Sequence, residues 1–133
     1  MPESESNKEL VPASALELAQ WLNQNAEAAD PIPVCAVGGR TAMKIGYPLD
    51  DDELNLISLA GMNQLVAYPS RDMTITVQAG MTVGEVQQLL AAENQQLPVD
   101  LPLPSQSTIG GACLLYTSPS PRDATLSRMP SSA

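Results

Sequence analysis

The 133-residue chain has no histidine and only two cysteines, Cys35 and Cys113. Imidazole is the usual ligand for zinc and haem and the usual general base near neutral pH, so those chemistries have no obvious residues here. Two cysteines do not make a disulfide framework; a reduced Cys35 inside a strand, in a reducing cytoplasm, is the expectation. Basic residues are scarce too, six Lys and Arg against fifteen Asp and Glu, for a formal net charge of −9. Nucleic acids and anionic membranes are bound through a basic footprint, which this balance withholds. No stretch reaches the ~18 apolar residues of a membrane span, and the opening MPESESNKEL lacks an apolar signal core. A cytoplasmic protein with no nucleic-acid partner and no membrane-spanning segment is expected.

The length suits one domain. Residues 1–10 are polar and read as frayed, with 1–8 disordered and the domain starting at residue 9. Ser14 and Glu17 have capping-box spacing, and Ala15, Leu18, Ala19, Leu22 and Ala26 recur at helical intervals. A helix over about 15–28 follows, its apolar stripe expected to pack on a sheet. Asp30-Pro31-Ile32-Pro33 ends it and leads into an apolar strand, Val34-Cys35-Ala36-Val37, which stops at Gly38-Gly39-Arg40-Thr41. Taken alone, that exit is either a tight turn or a place where backbone N–H groups approach an anion with no Cβ in the way.

Residues 40–53 read as a long loop ending in four acids, Asp50 to Glu53. Adjacent carboxylates on irregular chain seldom converge, so no metal is assigned. Strands are expected over 54–59 and from Leu65. Met73, Ile75, Val77 and Ala79 then alternate as the dry face of a hairpin strand. Gly80 reads as a helix-entry glycine, and Thr82 with Glu85 forms a second capping box before a helix running to about Glu93. Residues 100–107, with two prolines, are expected to lie extended and to end in a second unit, Thr108-Ile109-Gly110-Gly111. From Cys113 the periodicity vanishes and Ser and Pro accumulate. Back-translated, 113–123 and 127–133 resemble two consecutive segments of a transposase-type sequencing adapter in one frame. Residues 113–133 are therefore expected to be a disordered artefact, the genuine reading frame being interrupted mid-domain.

Gly38-Gly39-Arg40-Thr41, then Ala79-Gly80-Met81-Thr82, then Thr108-Ile109-Gly110-Gly111 form an ordered succession across residues 9–112. It resembles the start of the FAD-binding domain of the vanillyl-alcohol oxidase and p-cresol methylhydroxylase (PCMH-type) family, in the branch that includes the FAD-binding subunit of glycolate oxidase. The resemblance implies an α+β fold, the N-terminal subdomain of such a domain, with a small mixed sheet and two packing helices. It implies non-covalent FAD, flavin-dependent oxidation of a 2-hydroxy acid, and other subunits of a glycolate-oxidase-like complex as partners. The family's first loop reads Gly-Gly-Gly-Ser with a further glycine some residues on. Gly38, Gly39, Thr41 and Gly46 match those positions, and Arg40 stands where the third glycine is expected.

If that position needs positive φ, Arg40 is strained there by about 1 kcal/mol. Alternatively, its guanidinium supplements the backbone donors against the diphosphate. Thr108, Ile109, Gly110 and Gly111 resemble the family stretch that lines the flavin. Histidine-linked flavin, seen in some relatives, has no residue to form on, and Cys35 is placed badly for attachment. Catalytic residues in such enzymes come from later sequence, so none is named. Two other readings share these features: a non-catalytic assembly subunit with a degenerate flavin site, and a flavoenzyme similar to reductases of enolpyruvyl-UDP-sugars.

Overall fold

Capping starts the first helix. Ser14 Oγ accepts the Glu17 N–H at 3.2 Å, and the Glu17 carboxylate reaches back to the Ala13 N–H at 3.0 Å. Two donors at the helix start are thereby satisfied, and α1 follows over Ala15–Glu27. At its far end the Asn25 amide clasps Ile32, donating to the carbonyl at 2.9 Å and accepting from the N–H at 3.1 Å. The computed structural model describes residues 9–46 and 54–117.

α1 is the crossover between β1 (Glu9–Leu10) and β2 (Val34–Val37), which lie parallel on either side of β3 (Asn55–Ser58). Parallel neighbours need such a connection, since no tight turn can reverse the chain twice. Residues 1–10 are expected to be frayed, yet Glu9 and Leu10 pair with Leu56 and Ile57. The apolar stripe of α1 does not pack as expected: no residue of α1 is buried, Leu18 and Trp21 are half-buried, and Ala15, Ala19, Leu22 and Ala26 are exposed. Strands of two to four residues offer too little face to cover a thirteen-residue helix.

The second sheet is an antiparallel pair, β4 (Leu65–Ala67) and β5 (Thr76–Val77). β5 is shorter than the alternation suggests because residues Ser70–Asp72 wind into a 3-10 turn, which ends with Met73 left-handed at φ 53. Met73 is consequently exposed, while Ile75 and Val77 do face the core. Gly80 serves close packing rather than helix entry: a Cβ there would overlap the Leu59 carbonyl oxygen, and its N–H donates to Met62 O at 2.8 Å.

Thr82 then caps α2 (Val83–Ala92) through a complete capping box with Glu85. α2 carries the core, in which Met81, Val86 and Leu90 are buried beneath Tyr68, Ile75, Val77, Leu89, Leu97 and Ile109. Burying a side chain such as that of Val86 stabilises by about 1.5–3 kcal/mol. The hairpin is tied to α2 by the Tyr68 hydroxyl, which donates to Gln95 Oε1 at 2.8 Å, while Gln95 Nε2 donates to Ser70 O at 2.7 Å.

The proline segment is not fully extended. Leu103 adopts φ 54, and its carbonyl accepts the N–H groups of both Gln106 and Ser107 at 2.9 Å. Pro102 and Pro104 flank that turn, fixing φ on both sides of it. The chain leaves it as α3 (Ile109–Thr117), which passes through the boundary expected at Ala112. Thr108 begins this helix, and the apolar Cys113 and Leu114 extend it, because adding a residue to an existing helix is cheap compared with nucleation. The architecture is α+β, as expected, with three α-helices among the described residues and their strands divided between two small sheets. The acidic run at 50–53 and residues 1–8 and 118–133 lie outside the described residues. No helix among the described residues is long and apolar enough to cross a membrane.

Candidate cofactor site

Both glycine units meet at one place, beyond the C-terminal end of β2, where open α/β sheets bind ligands. Gly38 faces Thr108: a Cβ on the glycine would overlap the threonine Oγ1 and lie 3.0 Å from its methyl carbon. A Cβ on Gly39 would overlap the Gln106 carbonyl oxygen and lie 2.6 Å from its carbon. The missing side chains thus admit the second unit itself. The chain holds that unit by backbone pairing, with Val83 N–H donating to Ser107 O at 2.8 Å and Gly84 N–H to Pro104 O at 2.8 Å.

The resulting cavity measures about 370 Å3, at the lower end of ligand-site sizes. Its lining includes Gly38, Gly39, Arg40, Thr41, Ser107, Thr108 and Gly111 together with apolar Met43, Ile45 and Leu101. Gly39, Arg40 and Thr41 have backbone N–H groups that no acceptor among the described residues takes up. Consecutive unspent N–H groups form a concavity suited to an anion.

The hydroxyls are differently committed. Ser107 Oγ donates to Pro102 O at 2.9 Å and lies 3.2 Å from Thr41 Oγ1. A serine has one proton, so the Thr41 hydroxyl is the donor to Ser107 in that chain. Thr108 Oγ1 accepts the Gly111 N–H at 3.4 Å, as a residue before a helix does.

Of the two alternatives left open by the sequence, the positive φ is what Arg40 shows, while its guanidinium engages a residue of the chain. Its backbone is left-handed, at φ 58, where a side chain costs about 1 kcal/mol. Its Nη2 donates to Glu9 Oε1 at 2.6 Å, joining the loop after β2 to strand β1. Glu9 is the partner that sequence reading missed, since a frayed end was expected there.

The nine residues expected to bind cofactor do not all converge. Gly38, Gly39, Arg40, Thr41, Thr108 and Gly111 line the cavity; Gly46, Ile109 and Gly110 do not. Gly46 has φ 100 and no described residue within 4 Å of its Cβ position, so it serves a turn. The Ile109 N–H is spent on Met81 O at 2.8 Å and its side chain packs on the core; the Gly110 N–H is spent on Ala79 O at 2.9 Å. The second unit is therefore the capped start of a helix, and its donors mostly hold protein.

Residues 9–117 match the model of a family described as the FAD binding domain. The chain belongs to that family. A D-2-hydroxyglutarate dehydrogenase of Xanthomonas citri pv. viticola is 32% identical over 104 residues, which are 76% of this chain and 21% of that protein. The solved structure of an alkyldihydroxyacetonephosphate synthase matches with a TM-score of 0.65 at 22% identity, covering 77% of this chain and 19% of that one. This second likeness shows the shared fold. The chain thus spans about a fifth of the length of either relative. FAD, the cofactor of this domain family, carries a diphosphate between its two halves. The unspent N–H groups at 39–41, the close-packed glycines and the apolar residues in the lining fit that group.

Proposed function

We propose that this chain is the diphosphate-holding leading part of an FAD-dependent oxidoreductase that oxidises a 2-hydroxy acid. Its FAD is non-covalent, and its setting is a cytoplasmic, multi-subunit assembly resembling glycolate oxidase. The observation that carries the proposal is the meeting of Gly38 and Gly39 with the 106–108 segment, beside three unspent backbone N–H groups. The substrate class is supported by the relative named as a D-2-hydroxyglutarate dehydrogenase. Non-covalent attachment is supported by the lack of histidine in this chain and by the position of Cys35 inside β2, the strand before the loop.

Hydride acceptance is the chemistry FAD supplies when bound. The residues of this chain bind and orient. The N–H groups of Gly39, Arg40 and Thr41 would face the diphosphate, with the Arg40 guanidinium adding charge. Ser107 and Thr108 fix the loop by packing and hydrogen bonding rather than by donating protons to the ligand.

The complete gene product is expected to purify with flavin that is released on denaturation, and to reduce that flavin with a 2-hydroxy acid. Flavin-free protein that cannot be reconstituted would support the assembly-subunit reading, which the left-handed Arg40 favours. Turnover of an enolpyruvyl-UDP-sugar in place of a 2-hydroxy acid would move the activity to that class. Sequencing the locus past Ala112 tests whether residues 113–133 derive from adapter; finding them in genomic DNA would refute that origin.

A further inference from the structure

We infer that Glu9 is the resident counter-ion of Arg40, and that an anionic ligand entering the cavity takes the guanidinium away from it. The inference rests on reading the cavity as a diphosphate site. Arg40 lines that cavity, yet its Nη2 is engaged by Glu9 Oε1 at 2.6 Å. This is the only hydrogen bond made by the Arg40 side chain among the described residues.

The pair is built to be exchanged. The two side chains are 45% and 40% exposed, and half-exposed ion pairs held by one nitrogen are weak and screened by salt. A diphosphate brings more charge than a carboxylate and can engage a guanidinium through two donors. Besides the unspent N–H groups of Gly39, Arg40 and Thr41, the neighbouring donors are committed: the Thr41 hydroxyl to Ser107, the Ser107 hydroxyl to Pro102 O, and the Ile109 and Gly110 N–H groups to Met81 and Ala79. Lys44 and Arg71, the other described basic residues, do not line the cavity. Among the described residues Arg40 is accordingly its cationic donor. When the guanidinium turns to the ligand, its pairing with Glu9 is given up. Glu9 organises the empty loop and lowers affinity for what enters.

The test titrates FAD and ADP, which share the diphosphate, into the complete gene product at low and moderate salt. Wild type is compared with Glu9→Gln, Arg40→Gln and the double variant, with circular dichroism reporting the fold. Glu9→Gln is expected to bind both ligands about two- to tenfold more tightly, a gain that shrinks with salt. Arg40→Gln is expected to bind more weakly, and adding Glu9→Gln to it should restore little. Glu9→Asp, whose shorter side chain draws back from Arg40, is expected to shift affinity in the same direction as Glu9→Gln. Weaker or unchanged binding by folded Glu9 variants overturns the inference while leaving the diphosphate site standing. An equal gain in the Arg40→Gln background also overturns it, because the effect would then be general charge. Folded wild type that binds neither FAD nor ADP overturns the site reading and this inference together.

Discussion

Gly38 lies against Thr108 so closely that any Cβ on the glycine would overlap the threonine hydroxyl. This contact joins the loop after β2 to the start of α3, and the cavity exists because the two units meet there. Gly38→Ala is expected to cost about 1–3 kcal/mol, as small-to-large changes in packed regions do. Gly39→Ala should cost more, since its obstacle is the Gln106 backbone carbonyl rather than a rotatable side chain. Urea unfolding of the complete gene product measures both, and equal stability of either variant with wild type would show that the units do not abut.

Arg40 separates backbone from charge. Arg40→Gly removes a left-handed side chain, a relief of about 1 kcal/mol, and also removes an exposed ion pair worth about 0–1 kcal/mol. Stability is expected to change little, whereas FAD affinity should fall because the guanidinium is gone. A gain in affinity from Arg40→Gly would instead mark the loop as a degenerate flavin site.

The α2 capping box gives a pH signature. The Glu85 carboxyl is held below its ordinary range, first by the hydrogen bond from the Thr82 backbone N–H and then by that from the Thr82 hydroxyl. A depressed carboxyl pKa adds stability that is present above the ordinary glutamate range and is lost as pH falls through the lowered value. Glu85→Gln is therefore expected to flatten the acid limb of the stability curve and to leave the fold in place. Thr82→Ala should cost about 1 kcal/mol at neutral pH, as loss of an N-cap does. Thermal unfolding from neutral to acid pH measures both, and identical acid limbs for wild type and Glu85→Gln would contradict this.

Much of the local structure was legible in the sequence because capping and periodicity are short-range. Ser14 with Glu17 and Thr82 with Glu85 each begin a helix where their spacing says. The glycine pair after β2 was legible as a place where backbone must come close. What approaches it was not, because contact with Gln106 and Thr108 depends on how distant segments fold together. Met73 misled the alternating pattern through a 3-10 turn that leaves it left-handed. Glu9 was hidden for a similar reason: its role comes from strand order β1-β3-β2 and a reach from Arg40, and neither leaves a local pattern.

On the proposed function, Gly39, Arg40 and Thr41, backed by the Ser107–Thr108 segment, hold a dinucleotide diphosphate. Calorimetric titration of FAD into the deflavinated complete gene product, wild type beside Arg40→Gln, tests it most directly. Wild type is expected to bind saturably and one-to-one, and the variant several-fold more weakly, with both proteins equally folded. Equal affinity in the two proteins, or no binding by folded wild type, would contradict it.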